Sequence, residues 1–121
     1  MAEIPEDDLY KLAHQFLVDF KALIYEQGLL VKDRQLNKQH LLELGLTATQ
    51  REEIVLSLSV LDYNSGPIKD EYKTGDYWVF GKHIDGTEVY IKLKIAEHHG
   101  TEQAVCFSFH KSEHPLRYPF A

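Results

Sequence analysis

The stretch "YWVFGKHIDGTEVYIKLKIA", Tyr77 to Ala96, decides the fold. Apolar and polar residues alternate on both sides of Asp85-Gly86, a dipeptide suited to a two-residue hairpin turn because both of its positions need positive φ. With that turn, Ile84 faces Thr87, His83 faces Glu88, Gly81 faces Tyr90, Phe80 faces Ile91, Val79 faces Lys92 and Trp78 faces Leu93. Directly opposed residues share a face of the sheet. One face therefore collects Trp78, Phe80, Ile84, Val89, Ile91, Leu93 and Ile95. The other collects Tyr77, His83, Glu88, Tyr90, Lys92 and Lys94.

Downstream, "QAVCFSFH" (Gln103–His110) reads as a third strand. It is expected to add Val105, Phe107 and Phe109 to the apolar layer and Ser108 and His110 to the polar one. The tail, residues 111–121, carries Pro115 and Pro119 in "HPLRYPF" and is expected to lie extended against the domain, where it can position Arg117.

Upstream, "NSGPIKDEYKTGD" is dense in Gly, Pro, Asn, Ser and charge, so residues 61–76 read as a connecting loop. Before it lies a helical half, residues 1–60. Leu9, Leu12, Ala13, Phe16, Leu17, Phe20, Leu23 and Ile24 fall at helical spacing, with acids in the first turn and Gly28 where a C-cap would sit. A short helix follows, capped by Asn37 and stopped at Gly45, and then another whose Thr47 and Gln50 have capping-box spacing. The expectation is a single α+β domain over residues 1–121: an antiparallel sheet of three or more strands at 77–110, with the N-terminal helices on one face.

Composition narrows the function. At 121 residues with 44% hydrophobic content the chain can bury a core of its own. No run is apolar enough to span a membrane and the acidic start does not resemble a signal peptide, so a cytoplasmic location is expected. Cys106 is the single cysteine, which rules out an internal disulfide and a thiolate cage. Seven histidines invite a metal, but His110 and His114 would align only on a helix, and Pro115 argues for extended chain there. No metal site and no cofactor are expected. The net charge of −6 weighs against nucleic acid as a partner, although lysines outnumber acids within Tyr77–Lys94.

What remains is the polar sheet face. Metal-free RNA cleavage needs a group to take the 2′-hydroxyl proton, a group to protonate the leaving 5′-oxygen, and cations or donors for the phosphorane charge. Tyr90, Lys92, His83, His110 and Arg117 are of the right kinds, and imidazole exchanges protons near neutrality. The same residues also suit the wetted face of a half-covered sheet.

At these residues the chain resembles the MqsR family of bacterial type II toxins, RNA endonucleases of the RelE-like fold. The likeness runs from about Leu44 to His110: "ELGLT" before a helix, "LSLSVLDY" after it, a loop, a tryptophan opening a strand, "EVYIKLKI" and "VCFSFH". It implies an mRNA interferase that inhibits translation, with Tyr90, Lys92 and His110 as catalytic residues; His83, Lys94 and Arg117, cations on the same polar face and tail, are expected beside them as substrate contacts. His110 stands where the family has a lysine, and Val79 where it has a glutamine. The partners implied are mRNA and a cognate antitoxin protein, to which any zinc would belong. The alternative is a catalytically inactive RNA- or protein-binding module with the same fold, or an interaction domain using its sheet edge.

Overall fold

The computed structural model describes residues 3–121. Three helices and five strands follow in the order α1 (Glu6–Gln27), β1 (Leu30–Val31), α2 (Gln35–Glu43), α3 (Ala48–Leu56), β2 (Tyr63–Lys69), β3 (Asp76–Ile84), β4 (Thr87–His98) and β5 (Thr101–Lys111). A 3₁₀ turn at Val60–Asp62 leads into β2. The sheet order is β1-β5-β4-β3-β2.

The central hairpin has the register that alternation dictates, with Ile84 opposite Thr87 and Trp78 opposite Leu93. Asp85 and Gly86 both have positive φ, as a type I′ turn requires. The second hairpin turns at His99-Gly100, again with positive φ at both positions, and joins β4 to β5.

The sheet departs from expectation in two places. It is mixed rather than wholly antiparallel, because the two-residue β1 runs parallel to β5 at Val105 and Cys106. The stretch 61–76, expected as a connecting loop, contains β2, which pairs antiparallel with β3 through two irregularities. Gly66, Pro67 and those irregularities hide the strand, since proline and glycine are confined to edges and bulges of sheets. Only residues 70–75 remain a turn.

Helix α1 runs along the apolar face of the sheet. Phe16 lies 5.3 Å from Trp78 and 6.2 Å from Phe80, ring to ring, and Phe20 is fully buried beside them. Truncating a core aromatic of this kind to alanine costs about 3–5 kcal/mol. Leu12, expected on this stripe, instead faces outward. The Thr47–Gln50 capping box of α3 is formed in both directions. Among the described residues no helix is long and apolar enough to cross a membrane.

Strand β5 carries a β-bulge that sequence alternation does not reveal. Lys92 pairs with Ser108 but Leu93 pairs with Cys106, so Phe107 is the extra residue. A bulge resets which side chains face which way. Cys106 and Ala104 join the core, while Val105 and Phe107, expected in the apolar layer, turn to the other face; Phe107 meets Tyr77 edge-on at 5.0 Å.

Candidate nucleic-acid cleft on the open sheet face

The bulge also explains how α2 is held. An extra residue leaves the ladder locally unpaired, and the Phe107 carbonyl accepts from Asn37 Nδ2 at 3.1 Å and Arg34 Nη1 at 3.2 Å. Asn37 Oδ1 accepts from Phe109 N at 3.1 Å, and His40 Nδ1 accepts from Lys111 N at 2.7 Å. Residues three apart share a helix face, so Asn37 and His40 act as a side-chain strand along the edge of β5. Asn37, expected as a helix cap, is thus a buried bridge inside α2; the helix begins at Gln35, after Arg34.

From that position Arg34 reaches across to Ser108 Oγ at 3.1 Å. Its guanidinium then lies over the same cleft as Tyr90, Lys92, Ser108 and His110. The cleft has a volume of about 360 Å³, and its outer wall is the tail, through Ser112, Glu113, His114 and Leu116. Tyr90 and His110 are directly opposed on β4 and β5, their rings stacked at 5.2 Å and 18°. His40 meets His110 edge-on at 5.7 Å.

These contacts define what each group can do. His110 Nδ1 lies 2.9 Å from the Lys111 carbonyl, which only accepts, so Nδ1 carries the proton and the neutral ring keeps its lone pair on Nε2. Burial raises the Tyr90 phenol above its ordinary pKa, with the Arg34 charge opposing. Tyr90 therefore remains a hydroxyl donor through the neutral range. Lys92 rests its ammonium 4.2 Å above the Tyr77 ring and makes no salt bridge among the described residues.

The tail is tied down by Glu88. One carboxylate oxygen accepts from Leu116 N at 2.9 Å and the other from Tyr118 Oη at 2.7 Å. Asn64 Nδ2 donates to the Arg117 carbonyl, and Phe120 packs on Tyr63 and Tyr10. The tail crosses the sheet over Gly81, where an added Cβ would fall 2.6 Å from Leu116 Cδ1 and into the Tyr118 hydroxyl. A larger side chain there would have to displace the ends of Leu116 and Tyr118.

Of the six residues expected at a site, three come together: Tyr90, Lys92 and His110. The other three do not line the cleft. His83 is exposed beyond the tail, 3.6 Å from Glu88 and beside Tyr118. Arg117 is exposed on the tail itself. Lys94, expected to touch substrate, is 1% exposed and pairs with Asp70 at 2.6 Å. Asp70 also accepts from Tyr72 N, Lys73 N and Tyr77 Oη, and the Lys94 hydrogen bond leads these in holding its carboxyl well below the usual carboxylate range.

Arg34 and His40 are the site residues that sequence reading misses. Their signal is the polar recurrence Arg34, Asn37, His40 at every third position of a short helix. Val79, opposite Lys92, is buried and brings no polar atom. Among the described residues no group of three or more His, Cys, Asp or Glu side chains is assembled to hold a metal. No family model matches the chain, and neither a curated protein nor a solved structure matches it.

Proposed function

We propose that the chain is a metal-independent endoribonuclease acting on mRNA, of the kind that serves as the toxin of a bacterial type II toxin–antitoxin pair. The observation that carries the reading is the meeting of one imidazole with a free Nε2, one phenol held protonated and two cations in a single cleft. These are the parts that 2′-hydroxyl attack on a phosphodiester requires. The resemblance of "EVYIKLKI" and "VCFSFH" to the MqsR family, and with it a RelE-like fold and a cytoplasmic location, supports the same reading.

In the proposed step His110 Nε2 takes the 2′-hydroxyl proton as the 2′-oxygen bonds to phosphorus. The bond to the 5′-oxygen breaks, and that oxygen takes a proton from solvent or from His114, the other imidazole lining the cleft. Tyr90 donates to a non-bridging oxygen, while Lys92 and Arg34 offset the charge that builds on the phosphorane. The products are a 2′,3′-cyclic phosphate and a 5′-hydroxyl. A cognate antitoxin would act by covering this face.

A second reading, an RNA- or protein-binding module without cleavage, draws on the net charge of −6 and on Val79 in place of a polar residue beside Lys92. One experiment separates the two. Purified protein is incubated with a long mixed-sequence RNA in EDTA, with and without ribosomes, and the new ends are mapped. Cyclic or 3′-phosphate ends, lost by about 10²–10⁴-fold in His110→Ala and strongly reduced in Tyr90→Phe, are the expected outcome. Full activity in both variants would remove these residues from the mechanism, and no cleavage by folded wild type would leave the binding module.

A further inference from the structure

The open face does not end at the Tyr90 cleft. We propose that its other half, around Phe107 and Lys32, is a second subsite that seats an unstacked base of the same single-stranded RNA. The identity of the strand rests on the ribonuclease reading; the subsite itself stands on its own geometry.

Phe107 is a large aromatic carried by the bulge onto the face opposite the core, and it is only partly covered. Tyr77 braces it edge-on at 5.0 Å, and the ammonium of the exposed Lys32 lies 5.2 Å from its ring centre. Beside it opens a cleft of about 290 Å³ whose lining includes Leu30, Lys32, Lys73, Gln103 and Val105. The far wall is the 70–75 turn. Asp70 fixes that turn by accepting from the backbone of Tyr72 and Lys73 while it binds Lys94, and the turn brings Lys73 and Thr74 to the rim.

Charge selects the occupant. Lys32, Lys73 and Lys92 have no salt-bridge partner among the described residues, although acids outnumber bases in the chain as a whole. The one acid lining this cleft, Glu97, is exposed to solvent. Unpaired cations alternating with aromatic rings are the platform that single-stranded nucleic acid uses, with bases stacking on the rings and phosphates meeting the cations. The spacing also suits one strand. Tyr90 and Lys94 mark the two clefts four residues apart on β4, about 13 Å at 3.3 Å per residue.

The test uses fully 2′-O-methylated RNA, which cannot undergo 2′-hydroxyl attack, and reads binding by fluorescence anisotropy for a dimer and a hexamer. Wild type is expected to bind the hexamer more tightly than the dimer. Phe107→Leu, which keeps apolar bulk in the sheet and removes the ring, should weaken the hexamer roughly 5- to 100-fold. Lys32→Ala should lower the slope of log affinity against log salt by about 0.7. If both variants, folded by circular dichroism, bind the hexamer as wild type does, or if wild type binds neither oligomer at low salt, the subsite is overturned. Cleavage of unmodified RNA is scored separately: a protein that cuts RNA with no contribution from Phe107 keeps the catalytic reading alone, and one that cuts nothing but binds through Phe107 keeps the subsite alone.

Discussion

Lys92 and Lys94 stand two residues apart on one strand and point to the same face of the sheet, yet they occupy opposite surroundings. Lys92 is partly exposed, rests on the Tyr77 ring and borders the Tyr90–His110 cleft. Lys94 is buried beneath the 70–75 turn, its ammonium on Asp70. The strand's period assigns both to one face, but what lies over that face divides them into a group free to meet a ligand and a group already committed. A lysine's role here is set by its cover.

The division can be broken by exchanging the two losses. Lys92→Met is expected to lower RNA cleavage by about 100-fold or more while the melting temperature stays within a few degrees of wild type. Lys94→Met should do the reverse, lowering the melting temperature by roughly 10–20 °C because a buried carboxylate is left without its partner, while activity persists below the transition. Thermal melts and cleavage rates on both variants decide it; a catalytic loss in Lys94→Met at a temperature where it is folded would erase the distinction.

A smaller effect sharpens the buried half of the comparison. Asp70 has its carboxyl pKa depressed in the folded state, chiefly by Lys94, against about 3.9 for an unfolded aspartate. A depressed value means the folded state favours the ionised form, so the contribution is complete above about pH 4 and is lost only as pH falls through the folded value. The stability advantage of wild type over Asp70→Asn should therefore be flat from pH 7 to pH 5 and shrink only in strong acid. Urea midpoints across that range measure it, and an advantage already fading at pH 6 would contradict the pairing.

The least effect is expected at Cys106. Burial pushes its thiol up to about 12, so native protein should resist alkylation at pH 8 while the urea-unfolded chain labels readily. Fast native labelling would show that the core beneath the bulge opens.

Much of this architecture is legible in the residues. Asp85-Gly86 and the alternation around it specify the hairpin register, and the spacing of Ala13, Phe16, Leu17 and Phe20 specifies the helix that covers it, because both are local patterns with one dominant period. β2 is not legible, since Gly66 and Pro67 are turn residues wherever an edge strand does not accommodate them. Nor is the bulge: "VCFSFH" alternates well enough to suggest a regular strand, and only the shifted pairing of Leu93 with Cys106 shows that Phe107 is extra. The site divides the same way. Tyr90, Lys92 and His110 follow from the sheet's period, whereas Arg34 and His40 come from the distant α2 segment, Arg34 through the Phe107 carbonyl at the bulge, 73 residues on, and His40 through the Lys111 N–H, 71 residues on. Lys94 looked equivalent to Lys92 because no local pattern announces that a turn will close over it.

That same carbonyl bears on the order in which the molecule assembles. Arg34 and Asn37 meet Phe107 across 73 and 70 residues of chain, while the two hairpins close over a handful. Local pairings form early and distant ones late, because a long loop must lose its freedom before its contacts compensate. A chain with its hairpins formed and α2 still undocked would already present Tyr90, Lys92 and His110, but without the arginine above them. The cleft is thus completed by the slowest class of contact in the fold, and the arginine's arrival over Ser108 becomes a late marker of folding.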